Sequence, residues 1–363
     1  MSSPPFIIRS VSEKDGPGVI DLRLRMDDLS VSEKNSLDFW RWENLQNPYG
    51  NSIGMLAISD EMIISHMTSL PRRVLLKGCS HSCSHVIEAM TDRRFRKGMA
   101  FLSLGLKLDQ ELKERNVSLL YCFPNSNSRP IFQRGFRWID VGSSRLWLYP
   151  LRPDRILATQ TSWFHPVFTL PFALAGRLYK TFFPFKSSSL VVQTTEFDMR
   201  FQPLLDQIHN RYPIVMERSL DYLNWRYCKT VGRKYTVLYA LEKGSPTVAG
   251  YLVYRLTCHE GLDLGVIMDL QVLENDPNWV PAHLLGTALS QIHQKGAHAA
   301  LCLSMPADPI NKSLYRSGFL SLPRPLNPNP FDLMIKLPGS NPLSDFVTNP
   351  AHWRLSFGDN DVF

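Results

Sequence analysis

Apolar and polar positions along the chain change period in a fixed order, and they do so twice. After a short opening strand in FIIRSVSEKD (6–15), the stretch IGMLAISDEMIISHMTSLPRRVLLKG (53–78) predicts two or three strands with tight turns. HVIEAMT (85–91) predicts another strand. AFLSLGLKLDQELKERN (100–116) has apolar residues at helical spacing, and VSLLYCF (117–123) reads as a buried strand. The later block begins with KYTVLYALEKGSPTVAGYLVYRLT (234–257), two strands about a Gly-Ser-Pro turn. GVIMDLQVL (265–273) follows as a strand, PAHLLGTALSQIHQKG (281–296) as a helix and AHAALCLSM (297–305) as a strand. Strands, a helix, then a further strand parallel to the one before it make an α/β layout with mixed sheets.

Two short phrases recur within these blocks. DFWRWENLQNPYG (38–50) is matched by DYLNWRYCKTVG (221–232), and FPNSNSRPIFQRGF (123–136) by SMPADPINKSLYRSGF (304–319). The offset from Trp40 to Trp225 is 185 residues and from Gly135 to Gly318 it is 183. Near-equal shifts in the same order imply a tandem duplication, with a period far too long for a solenoid. The expected division is 1–150, an apolar linker 151–194, and 195–363. The recurring Trp40, Trp42, Trp225 and Tyr227 are expected to anchor a helix to each core.

Composition narrows the class. The chain has 363 residues, enough for two cores, and 44% hydrophobic against 20% charged residues marks a folded protein. Forty Lys+Arg against 33 Asp+Glu give +7, without a basic run or a basic helix carrying aromatics, so no nucleic-acid partner is expected. MSSPPFIIRS lacks the pattern of a secretory leader, and the six cysteines form no framework, so a cytoplasmic protein with reduced thiols is expected. CSHSCSH (79–85) has metal-ligand types, but on a strand the outer two stand roughly 20 Å apart, so no metal is expected and the stretch reads as a hairpin end between strands. WFHPVFTLPFALAGRLYKTFFPF (163–185) falls short of the roughly 20 unbroken apolar residues of a spanning helix. It reads as a linker helix on a domain surface; the second reading is peripheral membrane contact, with Arg177, Lys180 and Lys186 near headgroups. No Gly-x-Ser-x-Gly elbow supports hydrolase chemistry.

The chemistry-bearing stretch is RRFRKGMAF (93–101). A phosphate-binding loop needs backbone N–H groups, little bulk and a helix N-terminus behind it. Arg94, Arg96 and Lys97 precede Gly98, Met99 and Ala100 at the predicted start of a helix. The counterpart in the later block, ENDPNWVPAHLLG, is acidic and lacks a glycine before its helix, so no anionic cofactor is expected there.

With these residues in view the chain resembles the GNAT superfamily of N-acyltransferases, as two such folds in tandem. IIRSVSEKD resembles the first strand and turn, EAMTDRRFRKGMAFLSLGLKL the central strand, phosphate loop and helix. LLYCFPNSNSRPIFQRGF and LCLSMPADPINKSLYRSGF both resemble the next strand and the helix ending in Gly-Phe. The resemblance implies, for each fold, a mixed, mostly antiparallel sheet with a central parallel strand pair, flanked by helices. It implies acetyl-CoA or another acyl-CoA as co-substrate and a small-molecule primary amine as acceptor, in the manner of two-fold acyltransferases of cell-envelope and polysaccharide chemistry. Backbone groups at Met90 and Thr91 would hold the acyl arm, and Asn125 the amide arm of the cofactor unless it only forms a turn. Glu88 is the candidate base and Tyr315 the candidate acid. Phe95 stands where the family pattern has Arg or Gln, and Phe132 stands where Tyr315 stands in the later block. Two rivals follow: a tRNA-dependent aminoacyl transferase of the peptidoglycan-bridge kind, which requires a basic groove, and a degenerate binding module, which requires a collapsed strand gap.

Overall fold

Two mixed sheets take every described strand, and strands cross between the two halves of the chain. The computed structural model describes residues 6–26, 32–96, 99–160, 169–242, 244–273, 279–323, 331–338 and 344–361. The first sheet runs β1 (Ile7–Ser10), β2 (Ile53–Ser59), β3 (Met62–Leu76), β4 (Cys79–Thr91), β5 (Leu119–Cys122), then β15 (Asp332–Lys336), then β6 (Ile139–Ser143). The second runs β8 (Val191–Thr194), β10 (Tyr235–Leu241), β11 (Val248–His259), β12 (Leu262–Val272), β13 (Ala299–Ser304), then β7 (Arg145–Pro150), then β14 (Leu320–Ser321). Strand β7 thus sits in the second sheet and β15 in the first, at the same place in each order. The sheets therefore do not follow the chain divisions expected at 150 and 195. Two short strands from the later half, β9 (Ile214–Met216) and β16 (Trp353–Arg354), widen the first sheet beside the C-terminal end of β3, where β9 pairs with Val74, Leu75 and Leu76.

Helices cover both faces. In the first fold α1 (Gly16–Arg25) and α2 (Leu37–Leu45) lie on one face and α3 (Ala100–Glu114) on the other. Ser36 caps α2 by accepting from Phe39 N–H. The linker contains α4 (Pro153–Gln160) and α5 (Thr169–Phe182). The second fold carries α6 (Gln202–Arg211), α7 (Leu220–Leu223), α8 (Trp279–Gln294) and α9 (Ile310–Arg316), and α10 (Ser344–Val347) precedes the C-terminal tail. Leu104, Leu108 and Leu112 of α3 pack on Val86, Leu120 and Cys122, as Leu284, Leu285 and Ala288 of α8 pack on Ile267, Ala300 and Cys302.

The repeated phrases have two jobs. Phe136 and Phe319 follow their glycines as buried anchors of the two cores. A Cβ on Gly105 of α3 would run into the Phe136 ring, so the helix and the closing turn touch backbone to ring. The tryptophans differ from expectation. Trp40 anchors its own core, but Trp42 and Trp225 stack on each other across the two halves, centroids 4.7 Å apart. Each indole N–H donates to the other's carbonyl, Trp42 Nε1 at 3.3 Å and Trp225 Nε1 at 3.2 Å. They are 183 residues apart, the spacing of Gly135 and Gly318, so the true partner of Trp225 is Trp42. The two indoles thus exchange bonds reciprocally between the halves of the chain.

Candidate functional site

The central parallel pair of the first sheet is short. β4 and β5 pair only at Cys83–Leu119, Ser84–Leu120 and His85–Tyr121. Beyond His85, β4 continues to Thr91 while β5 ends at Cys122, and the strands part. A bulge lies in the free half of β4: Glu88 and Ala89 stand opposite the single residue Met67. Glu88 has φ of +53°, a conformation that costs a non-glycine residue about 1–3 kcal/mol.

Glu88 is held there by α1 and β3. Its Oε1 accepts from the Arg23 guanidinium, and its Oε2 lies 3.6 Å from His66 Nδ1. Glu88 and Met90 both face the α1/α2 side, as their spacing implies; Met90 packs with Val19 and Trp40. Burial pushes the Glu88 pKa up, but the charges of Arg23 and Lys34 oppose it, and the carboxylate is held below its usual range. Burial lowers the His66 pKa to about 4 although Glu88 opposes this, so His66 is a neutral imidazole at neutral pH.

A second buried carboxyl was not singled out from the sequence. Glu43 of α2 is buried, and its Oε2 has no hydrogen-bond partner. Burial raises its pKa; Lys34 counteracts this and the charge of Glu88 adds to it. Glu43 lines a cavity of about 20 Å³, room for about one water, with His85, Arg72, Trp42, Tyr222 and Asp361. The cavity reaches His85, the last residue of β4 that pairs with β5. Two carboxyls with opposed shifts on one side of a strand gap are a pattern of acid–base sites. The only sequence signal was the position of Glu43 directly after Trp42 in the recurring phrase DFWRWENLQNPYG.

The wall opposite is the C-terminal tail, residues 353–361. Tyr121 O–H donates to Asp359 O at 3.1 Å, Arg226 Nη2 to Asn360 O at 3.2 Å and Lys34 Nζ to Asp361 O at 2.8 Å. Asp359 joins Arg72 of the first sheet to Arg218, which pairs with Asp269 of the second. Burial raises the Asp359 pKa, but Arg218 and Arg72 hold it below its ordinary value.

On the α3 side, Asp92 accepts from Arg94 N–H and pairs with Arg94 Nη2 at 2.8 Å and with Arg25. Phe95 packs against the α3 core. Arg96 Nε donates to Thr91 O, and Ser65 Oγ to Met90 O. Ala100 is buried at the start of α3, and Met99 before it is exposed. Lys97 and Gly98 lie outside the described residues. Asn125 begins the closing turn, its Oδ1 accepting from Asn127 and Ser128 N–H. Tyr315 is on α9 of the second fold, 70% exposed, and is not brought to Glu88. CSHSCSH forms the first half of β4 with Cys79 exposed and Cys83 and His85 buried; the described residues hold no cluster able to ligate a metal.

The second parallel pair also parts, beyond Ile267–Cys302. There Arg354 of the tail enters the gap. It donates to Leu270 O at 3.1 Å, Gln271 Oε1 at 3.1 Å, Asp308 Oδ1 at 2.7 Å and Tyr212 Oη at 2.9 Å. About 10 Å³ is left beside it.

A parallel pair that splays behind a helix N-terminus, with a bulge at the gap, describes each half. Solved structures share this architecture over 92% of the chain. One is a GCN5-related N-acetyltransferase from Anabaena variabilis, with 12% identity, a TM-score of 0.61 and 73% of its length covered. Another is a probable N-acyltransferase of unknown function from Enterococcus faecalis, with 11% identity, a TM-score of 0.59 and 72% of its length covered. A third is a GCN5-related N-acetyltransferase from Kribbella flavida, at 9%, 0.56 and 72%. The chain has a GNAT-like fold, laid out as two mixed sheets that each hold a central parallel pair. No family model matches the sequence, and no curated protein does. At such identities the likeness is one of fold. The two strand gaps are unequal: a guanidinium fills the second, and buried carboxyls line the first.

Proposed function

We propose that the protein is an N-acyltransferase whose first GNAT fold takes acetyl-CoA or another acyl-CoA and passes the acyl group to a primary amine. The observation that carries this reading is the parting of β4 from β5 at His85, with Glu43 and Glu88 on one side and the start of α3 on the other. The acyl-CoA would lie with its phosphates at the 93–100 turn. The amine would enter from the α1/α2 side. Glu43, lifted by burial, takes the proton from the attacking amine, and Glu88, held ionised by Arg23, keeps the amine's positive charge in place. Nitrogen bonds to the thioester carbon, backbone N–H groups at Met90 and Thr91 receive the oxyanion, and the C–S bond breaks to release thiolate. No side chain is assigned to protonate that thiolate. The tail supports a second reading: with Asn360 and Asp361 against the gap and room for one water, the pair would serve as a non-catalytic binding module.

Calorimetric titration with acetyl-CoA and free CoA separates the two. One saturable site, lost in Gly98→Glu, is expected for the enzyme. With an acceptor in hand, Glu43→Gln should cut turnover about 100-fold and leave CoA affinity unchanged. Silence toward every acyl-CoA sinks the transferase reading, and full affinity in a folded Gly98→Glu protein removes the turn from it.

A further inference from the structure

Helix α5 is apolar on both sides, which a surface helix normally is not. Its inner side is fixed to the second fold. Gly176 lies on Pro153, Tyr179 O–H donates to Gly318 O at 2.6 Å, and Phe183 packs on Tyr179 at 4.9 Å between centroids. Its outer side presents Leu174, Leu178 and Phe182, at 56%, 54% and 77% exposure, in one line at four-residue steps. Tyr315 of α9, near Tyr179, continues the same exposed face. Apolar groups aligned and exposed in this way mark a docking surface.

Charge decides what docks. From residue 155 to 195 the chain has no Asp or Glu but has Arg155, Arg177, Lys180 and Lys186. From 309 to 331 it again has none, with Lys312 and Arg316 on α9. Lys186 and Arg316 line a cavity of about 180 Å³ with Phe182, Phe183 and Leu289, so cations and hydrocarbon share one recess. A second copy of the chain would set these cations against their own kind in any two-fold contact. An anionic lipid surface offers hydrocarbon and negative charge together. At 14 residues, α5 is about 21 Å long and lies along the surface rather than through it. No helix among the described residues is long and apolar enough to cross a membrane.

We infer that the α5/α9 face docks the protein on bilayers rich in anionic lipid, with Leu174, Leu178 and Phe182 entering the headgroup boundary and Lys186, Lys312 and Arg316 meeting phosphates. The test is co-sedimentation of the full chain with vesicles of phosphatidylcholine, alone or mixed with phosphatidylglycerol. Binding is expected only to the mixed vesicles. It should weaken about fivefold for each of Lys186→Gln and Lys312→Gln and vanish in Leu174→Ser/Leu178→Ser/Phe182→Ser, whose melting temperature should equal the parent's. A parent protein that stays in the supernatant at low salt overturns the inference. So does a triple variant that binds as well as the parent, which would leave charge alone at work. A concentration-dependent dimer abolished by the triple variant, without vesicle binding, assigns the face to a second copy instead. None of these outcomes depends on acyl-CoA chemistry.

Discussion

His66 and His85 are neutral because they are buried, and this sets how the fold responds to acid. Burial lowers the His66 pKa to about 4 and that of His85 to about 3. The unfolded chain protonates both from about pH 6.5 downward, while the folded protein does not. Their stabilisation is therefore complete above pH 6.5 and is lost as pH falls toward the folded values. Between pH 6.5 and 5 each histidine should remove about 2 kcal/mol. Urea midpoints should fall over that window, and His85→Gln should flatten the slope by about half. A flat profile from pH 7 to 5 in the parent protein would contradict this. Glu88 could be read from the strand HVIEAMT alone, because its neighbours in sequence define the strand. Glu43 could not. Its lifted pKa comes from burial together with the charges of Glu88 and Asp361, set against Lys34, and only the folded chain assembles these groups.

At the scale of elements, the contact between α3 and the closing turn carries the clearest steric demand. A side chain at Gly105 has no room beside the Phe136 ring. Gly105→Val should destabilise the protein by about 1–3 kcal/mol through overpacking. Thermal melting measures this, and an unchanged midpoint would mean the ring moves freely. The alternation of apolar positions was enough to find β1, β2, β3, the later half of β4, β5 and β10 to β13, with the helices α3 and α8, but it did not mark β6 to β9 or β14 to β16. It missed the first half of β4, because CSHSCSH is polar in composition and only its pairing with β3 from Cys79 onward makes it a strand. The tail was illegible for a related reason. WRLSFGDNDVF has no period, and its order comes from Arg72, Arg218, Arg226 and Lys34 waiting in the fold.

The whole molecule is tied together by exchange as much as by contact. The reciprocal indoles, Asp359 between two arginines and the traded strands β7 and β15 all cross the middle. Residues 1–150 alone lack β15, which separates β5 from β6, and residues 151–363 alone lack β7. Each fragment should fail to give a cooperative melt, and the two should co-purify when produced together. Independent folding of 1–150 would show that β15 is dispensable. Local hydropathy could not reveal the exchange, since β7 and β15 have the same strand pattern in either sheet. It also governs manufacture at the ribosome. Ser143 closes β6, and its neighbour Asp332 emerges 189 residues later. At about 5–20 residues per second, the nascent first sheet waits roughly 10–40 s with two bare edges. A premature stop codon anywhere before β15 therefore damages the half already made, and the message has no safe place to be cut short.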